Sequence, residues 1–186
     1  MSRFDIQPTP LAGLLVVQRQ QLGDARGFLS RLFCSEELAT AGWTMPIAQI
    51  NQTFTAQQGT VRGLHFQHPP HAEMKLVNCL QGEVWDVAVD LRRSSPTYLQ
   101  WHAERLSAQN QRALLIPPGF AHGFQTLSDN VEMLYFHSQP YVAQSEAALQ
   151  VQDPRLAITW PLPVHGLSPR DAQHAWIGDD FEGVHL

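Results

Sequence analysis

The chain has 186 residues, of which 44% are hydrophobic and 16% charged, values typical of one globular domain with a sizeable core. Its formal net charge is -5 and it contains no basic run, which excludes the electrostatic footprint of a nucleic-acid-binding protein. No run approaches the ~18 apolar residues of a membrane span, and the N-terminus lacks an apolar signal segment, so we expect neither membrane insertion nor export.

Only two cysteines occur, Cys34 and Cys79. Neither lies in a CxxC motif or in a Cys/His spacing typical of metal sites, which indicates free thiols in a reducing compartment. We therefore expect a cytoplasmic protein.

The N-terminal part predicts two strands and one helix. The apolar run at residues 11–17 predicts the first strand, and residues 28–33, after a turn at 24–27, predict the second. Residues 35–41 begin with a serine as N-cap, carry acids in the first turn and are followed by Gly42, which predicts a short helix.

From residue 47 onward, short runs rich in Val, Leu, Phe and Trp alternate with turn-forming clusters. The runs cover residues 47–55, 60–67, 74–80, 83–91, 98–106, 113–116, 123–127 and 131–137. Short strands without intervening helices predict an all-β fold, an antiparallel jelly roll. No linker or repeat divides the chain, so we expect a single domain over residues 1–186, with a mixed tail at 141–186 that packs on the barrel through turns and a short helix.

One segment, residues 59–81, places Arg62, His65, Glu73 and Lys75 in short apolar runs typical of buried strands. Such groups are costly to bury unless they are paired or used in function. The segment therefore predicts the functional site.

Strand geometry adds one condition for this segment. Arg62 and His65 are three residues apart, so they point to opposite faces of a regular strand. A bulge at Gly63 would re-aim one of them and allow both to serve one site.

Three further candidates lie later in the chain. A Pro-x-Gly-x-x-His motif ends in His122, Tyr135 lies in a predicted strand, and Asp171 follows a polar turn in the tail. Taken singly, each also has an ordinary structural interpretation: a core histidine, a strand aromatic and a surface acid.

A metal site is one interpretation of these residues. The Pro-x-Gly-x-x-His motif resembles the second motif of metal-binding cupins, whose first motif supplies His-x-His and a glutamate. This chain has His65, His68, His71 and Glu73 but no His-x-His pair, and ligands that face one way from a strand need a spacing of two. A site made from His65, Glu73 and His122 stays open as an alternative.

A metal-free interpretation uses the same region for acid–base chemistry. A neutral imidazole at His65 is a competent base, and a carboxylate such as Asp171 would fix its tautomer. Lys75 would stabilise negative charge on a carbonyl oxygen, and Tyr135 would return a proton to the opposite face of the carbon. Together these steps amount to epimerisation next to a ketone.

Several motifs resemble those of one known family. The matching segments run in family order over residues 24–171, and the most specific are R-G-L-H at 62–65 and I-P-P-G-F-A-H-G-F at 116–124. On these motifs the sequence resembles the dTDP-4-dehydrorhamnose 3,5-epimerases of nucleotide-sugar metabolism. The resemblance implies a cupin-type jelly roll, a homodimer formed partly by exchange of N-terminal strands, and no metal or organic cofactor.

The resemblance also implies roles for individual residues. His65 would be the base, oriented by Asp171, while Lys75 would stabilise the enolate and Tyr135 would be the acid. The implied substrate-binding residues are Arg26, Phe28, Gln49, Asn51, Arg62, His122, Tyr141 and Arg170. Among them, Arg62 and Arg170 would hold the diphosphate and Tyr141 would stack on the base. Arg26 and Phe28 would belong to a segment that reaches a neighbouring subunit's site.

The sequence departs from the family pattern at Arg31, where a glutamate is usual near the nucleotide base, and at Phe136, where a lysine is common. The base preference and the choice of C3, C5 or both carbons therefore stay open. The alternatives are a mono-epimerase acting on a differently based nucleotide sugar, a metal-dependent cupin enzyme, and a non-catalytic sugar-binding cupin.

Overall fold

The computed structural model describes residues 2–186, which are built mainly from strands. The elements are β1 (Phe4–Pro8), β2 (Leu15–Arg19), β3 (Gln21–Asp24), β4 (Gly27–Ser30), α1 (Ser35–Ala39), β5 (Gln49–Thr55), β6 (Val61–Gln67), β7 (Lys75–Gln81), β8 (Glu83–Asp90), β9 (Trp101–Ser107), β10 (Arg112–Ile116), β11 (Phe120–Thr126), β12 (Val131–His137), β13 (Glu146–Ala148) and a 3-10 turn at Asp171–Gln173. Neighbouring strands in each sheet pair antiparallel.

Two sheets face each other across the core. One has six strands in the order β1-β2-β10-β7-β12-β5, and the other has five in the order β13-β6-β11-β8-β9. Val77 and Met133 from the first sheet pack with Val84 and Phe124 from the second in one buried cluster. This arrangement is the all-β antiparallel jelly roll predicted from the alternation of short apolar runs and turns.

Each sheet is also covered on its outer face. Leu149 and Ile177 of the C-terminal tail are buried with Val87 of the five-stranded sheet, which confirms that the tail packs on the barrel. Trp43, which follows α1, is buried with Leu76 of the six-stranded sheet. Because both faces of the central strands are buried, their sequences carry apolar residues on both sides.

The N-terminus differs from the predicted strand at residues 11–17. The strand begins only at Leu15, and an additional strand, Phe4–Pro8, pairs with it at the sheet edge. Leu11 and Leu14 are buried, but they lie in a turn where the Thr9 hydroxyl donates a hydrogen bond of 2.9 Å to the Leu14 carbonyl oxygen. The apolar run therefore reflected burial rather than strand conformation.

The next two predictions need smaller corrections. The strand predicted at residues 28–33 is limited to Gly27–Ser30, which pairs with Gln21–Asp24 in a hairpin separate from the two sheets. The helix is Ser35–Ala39, and its N-cap is Cys34 rather than Ser35, with no side-chain capping bond. Later strands match the predicted runs within a few residues, with the largest shifts at the starts of Trp101–Ser107 and Phe120–Thr126. The tail contains, besides the predicted turns and a 3-10 turn, a strand that was not predicted, Glu146–Ala148, which pairs with β6. Within residues 2–186, no helix has the length and apolar character needed to cross a membrane.

Candidate active site

A cavity of about 420 Å³ opens between the two sheets. Side chains from both sheets and from the tail line it: Asn51, Thr53, Arg62, His65, Lys75, His122, Phe124, Tyr135, His137, Ser168, Arg170 and Asp171, together with Gly123 and Gly166. The structure thus brings the four predicted catalytic residues into one cavity, along with four of the eight predicted substrate-binding residues.

A bulge in β6 aims two of these side chains at the cavity. His65 pairs with His122 and Arg62 pairs with Phe124, so Gly123 alone faces two residues of β6 and the register shifts at Gly63. This confirms the bulge expected there. Gly63 has φ +133°, and a Cβ atom at this position would lie 2.5 Å from the Gly123 Cα. The bulge therefore requires glycine, because the two backbones approach too closely for a side chain.

His65 is oriented by the carboxylate of Asp171. The His65 Nε2–H donates a hydrogen bond of 2.8 Å to Asp171 Oδ1, and this bond leaves Nδ1 as the basic nitrogen. Asp171 is only 5% exposed, and its backbone N–H is held by the Ser168 hydroxyl. Burial raises the pKa of the Asp171 carboxyl, but hydrogen bonds from His65 and His174 outweigh it, so that pKa lies below its ordinary value.

Lys75 enters the cavity from β7 with a carboxylate partner. It shares the inner face of the strand with Val77, which lies in the core, and its Nζ atom lies 3.2 Å from Glu73 Oε1. The other oxygen of Glu73 lies 2.7 Å from His137 Nδ1. Burial raises the pKa of Glu73, but the His137 hydrogen bond and the charge of Lys75 outweigh it and hold that pKa below its usual value. This network offsets the cost of burying the ammonium group.

Tyr135 lies on β12, in the sheet opposite His65. Its hydroxyl lies 3.4 Å from Thr53 Oγ1, and its ring centroid is 6.1 Å from that of His122. Burial raises the pKa of the Tyr135 phenol well above its ordinary value. The phenol is therefore neutral at physiological pH and presents an O–H donor.

His122 lines the cavity and forms a buried pair with Asp86. Its Nε2 lies 3.0 and 2.9 Å from the two oxygens of Asp86, which has no exposed surface. Burial raises the pKa of Asp86 despite the neighbouring imidazole. Asp86 fixes the position of the imidazole through these contacts, as carboxylates that hydrogen-bond to functional histidines commonly do.

Two predicted anion-binding residues lie at the mouth of the cavity. The Arg62 Nε–H donates a hydrogen bond of 3.0 Å to Thr55 Oγ1, and the Arg170 guanidinium pairs with Glu146. Both arginines lie in the wall of the cavity. Arg170 lies in the C-terminal tail, immediately before Asp171.

An adjacent recess of about 210 Å³ holds the remaining predicted ligand residues of the barrel. It contains Gln49 and Tyr141 and shares Asn51, His65 and Lys75 with the main cavity. Gln49 Oε1 accepts a hydrogen bond of 3.1 Å from the Tyr141 backbone N–H. The two spaces together form one elongated site.

Arg26 and Phe28 do not line this elongated site in their own chain. Both lie on the β3–β4 hairpin, where Arg26 pairs with Asp24 at 2.6 Å and Phe28 is 66% exposed. The resemblance implies that they belong to a segment that reaches another subunit's site.

The alternative metal site from His65, Glu73 and His122 does not form as a cluster. Each of the three has a different partner: Asp171 for His65, Lys75 and His137 for Glu73, and Asp86 for His122. Within residues 2–186, the three ligand-type residues that do lie together are His65, Asp171 and His174.

Sequence reasoning missed several residues of the site. His137 aligns with Lys75 across β12 and β7, and Thr53 lies beside Tyr135. The sequence does contain a sign that Asp86 is functional, because this acid shares a strand face with Val84 and Ala88, both of which are buried. His137 and Thr53 carried none, because their roles depend on the pairing of strands far apart in sequence.

Acid and base groups on two facing walls of one cavity are what an epimerase needs, because inversion takes a proton from one face of a carbon and returns one to the other. The fold and the site thus define a jelly-roll enzyme of the racemase and epimerase class.

Comparison with known proteins specifies the family. Residues 8–179 match the family model described as dTDP-4-dehydrorhamnose 3,5-epimerase. A dTDP-4-dehydrorhamnose 3,5-epimerase from Pseudomonas aeruginosa is 43% identical over 170 residues, covering 89% of this chain and 92% of the relative. A dTDP-4-dehydrorhamnose 3-epimerase from Streptomyces niveus is 36% identical over 167 residues, covering 89% of this chain and 80% of the relative.

A solved structure leads to the same family. The enzyme dTDP-6-deoxy-D-glucose-3,5-epimerase from Legionella pneumophila, in complex with dTDP-4-keto-L-rhamnose, superposes with a TM-score of 0.91 at 37% identity and covers 98% of each chain. The chain belongs to the dTDP-4-dehydrorhamnose 3,5-epimerase family and is an isomerase with a cupin-type jelly roll.

Proposed function

We propose that this chain epimerises dTDP-4-dehydro-6-deoxyglucose, a nucleoside-diphosphate 4-keto-6-deoxyhexose, at C3 and C5 through an enolate, in deoxysugar biosynthesis. One observation carries the proposal: His65, held by Asp171, lines the same cavity as Tyr135 but comes from the opposite sheet. The ligand in the Legionella pneumophila structure belongs to the same class of substrate.

The proton path follows from the hydrogen bonds. His65 Nδ1 takes the proton from the carbon next to the C4 ketone, and Asp171 stabilises the imidazolium that forms. Tyr135 donates its hydroxyl proton to the opposite face of the same carbon. Exchange with solvent then resets both groups. The only net change in the sugar is the inverted configuration, and because C3 and C5 both flank C4, one base and one acid serve both.

Lys75 stabilises the enolate oxygen that forms at C4. Its ammonium is held 3.2 Å from the Glu73 carboxylate, so it is positioned before the substrate binds. A preorganised charge in a cavity of low dielectric stabilises developing negative charge more than water does.

The mouth of the cavity and the adjacent recess suit the nucleotide. Arg62 and Arg170 hold the diphosphate, because guanidinium groups bind phosphate oxygens in pairs. His122 lines the sugar pocket. Gln49 and Asn51 donate hydrogen bonds to the ligand, and the exposed ring of Tyr141 stacks on the base.

Two copies of the chain form the active enzyme, in which Arg26 and Phe28 of one copy reach the site of the other. The β3–β4 hairpin supports this, because Leu22, Phe28 and Leu29 expose apolar surface there. Within each copy, residues 1–186 act as one domain. The enzyme works in the cytoplasm, in line with its free thiols.

The reaction requires no metal or organic cofactor, because the side chains of the cavity supply the base, the acid and the charge that stabilises the enolate. Full activity after treatment with a chelator would support this, whereas activity restored by an added metal would favour a metal-dependent cupin enzyme.

Proton NMR in deuterated water with dTDP-4-dehydro-6-deoxyglucose tests the function. Loss of both the C3 and the C5 proton signals, with formation of the inverted sugar, is the expected result. No exchange at either carbon would show that the substrate or the function is wrong.

A His65→Ala variant gives the internal control. It should abolish exchange while circular dichroism shows an unchanged sheet content. Exchange that persists in this variant would mean that another group is the base.

A mono-epimerase is the second candidate, favoured by the similarity to the Streptomyces niveus 3-epimerase. Exchange confined to one carbon in the same NMR experiment would establish it. A parallel reaction with a uridine-linked sugar tests the base preference left open by Arg31.

A further inference from the structure

His174 has no role in the proposed reaction, yet it lies beside the catalytic base. Its Nε2 lies 3.3 Å from Asp171 Oδ1, the same oxygen that accepts the hydrogen bond from His65. Its side chain is 16% exposed, and its ring lies 5.9 Å from that of His65 at 83°. Two imidazoles therefore converge on one carboxylate.

The distances match those between the ligands of a small metal ion. The ligand atoms of His65, Asp171 and His174 all lie within 4.8 Å of one another, and two of the three separations are 2.8 and 3.3 Å. Metal–ligand bonds of ~2.0–2.1 Å in a tetrahedral site imply ligand separations of about 3.3 Å. The third separation, between the ligand atoms of His65 and His174, lies within 4.8 Å and would shorten as an ion binds.

The three ligands are anchored before any ion binds. His65 lies on the bulged strand. Asp171 begins a 3-10 turn, and its backbone N–H donates a hydrogen bond of 3.0 Å to the Ser168 hydroxyl, while His174 directly follows the turn as its C-cap. The Ala172 carbonyl of this turn accepts a hydrogen bond of 3.3 Å from Gln150. Preorganised ligands lower the entropic cost of binding.

From this geometry we propose that His65, Asp171 and His174 form a binding site for a divalent transition-metal ion such as Zn²⁺, and that the ion inhibits the enzyme reversibly. Two imidazoles and one carboxylate are ligands that zinc accepts. His65 and Asp171 both line the cavity, so an ion bound to them would lie at its wall.

Inhibition follows from the tautomer of His65. Without metal, the proton on Nε2 points at Asp171 and Nδ1 is free to accept a proton. A metal ion on Nε2 requires the neutral ring to carry its single proton on Nδ1. The ring then cannot take a proton from the substrate. This second half of the proposal rests on His65 being the base, as proposed above.

Isothermal titration of the untagged, chelator-treated full chain with Zn²⁺ tests the site. We expect one Zn²⁺ per chain in the wild type and at least about a 100-fold weaker affinity in His174→Ala and in His174→Gln, since even losing a residue that only supports a ligand costs 10–100-fold. His102→Ala is the matched control, because His102 pairs with Glu104 at 3.1 Å outside the cavity and should leave the affinity unchanged.

Equal affinity in the wild type and both His174 variants would overturn the metal site. Zn²⁺ that binds without reducing epimerisation, or inhibition that a chelator does not reverse, would overturn the inhibition. If the protein lacks epimerase activity altogether, the proposed function fails, but the titrations still decide whether the metal site exists.

Discussion

Several cationic or basic side chains of the cavity lie against a carboxylate, and three of them are the proposed base, the cation that stabilises the enolate and the sugar-pocket histidine. These three pairs are His65–Asp171 at 2.8 Å, Lys75–Glu73 at 3.2 Å and His122–Asp86 at 2.9 Å. Removing one partner from a buried pair is far more costly than the pair itself is stabilising. The carboxylates are thus as necessary to the site as the groups that face the substrate.

Tyr135→Phe separates the two proton transfers. Without the phenolic hydroxyl, inversion should fall by about 10²–10⁴-fold, the usual contribution of a general acid. Solvent deuterium should still enter the substrate with retained configuration, because His65 can remove and return a proton on its own face. NMR in deuterated water measures both rates, and an equal loss of exchange and inversion would contradict the role of Tyr135 as the acid.

The sequence identified the groups that face the substrate better than the groups that hold them. His65 and Lys75 stood out as charged groups in apolar runs. Glu73 and His137 meet only because β12 aligns His137 with Lys75, and such register cannot be read from either strand alone.

At the level of single elements, the β6 bulge allows Arg62 and His65, which a regular strand would point to opposite faces, to line the same cavity. Gly63→Ala should lower the free energy of unfolding by about 1–3 kcal/mol through backbone strain, and by a similar amount again through the clash with Gly123. Gly27→Ala is the matched control, since Gly27 has nearly the same φ, +134°, but nothing within 4 Å of the added methyl group. Urea unfolding measures the loss of unfolding free energy in both variants. Equal losses would mean that close packing at the bulge is not what requires a glycine at position 63.

The end of β8 supplies a pH-dependent contribution to stability. Burial raises the pKa of the Asp90 carboxyl, but hydrogen bonds from Arg92, Ser95 and Thr97 outweigh it, so that pKa lies below its ordinary value of 3.8. A lowered pKa in the folded state stabilises the protein above pH 3.8, and this contribution is lost as the pH falls through the folded-state value.

Asp90→Asn should therefore destabilise the protein at pH 7 by on the order of 2–3 kcal/mol, because a charged acceptor of several hydrogen bonds is lost. The difference in the free energy of unfolding between the variant and the wild type should be smaller at about pH 3. Urea midpoints at the two pH values measure it. A stability difference between variant and wild type that does not change with pH would show that ionisation of the Asp90 carboxylate does not contribute to stability.

Strands were predictable where turn residues flank an apolar run, as for Val131–His137, whose limits match the prediction. The first strand, Phe4–Pro8, was missed because it is short, has only two large apolar side chains, Phe4 and Ile6, and ends in proline, which sheet edges tolerate. Edge strands are stabilised by their neighbour rather than by their own composition, so the sequence alone carries little trace of them.

At the scale of the whole molecule, the β3–β4 hairpin stands apart from both sheets. A two-stranded hairpin is marginally stable alone, and this one exposes Phe28 and Leu29 at 66% and 64%. Contact with a second copy would bury these side chains.

Replacing both Phe28 and Leu29 by serine should convert a dimer into a monomer, which sedimentation equilibrium measures. Trp176→Ser is the control, because Trp176 is 58% exposed but lies in the tail. A monomeric wild type, or a double variant that stays dimeric, would exclude the hairpin as the dimer contact.

The position of Asp171 makes the orientation of His65 depend on the C-terminal tail. A ribosome that has reached residue 165 has already made every strand, because β13 ends at Ala148, and it has made His65 as well. The carboxylate that orients this histidine is still missing. A chain that stops there contains every strand segment but lacks the oriented base, so it should not catalyse epimerisation.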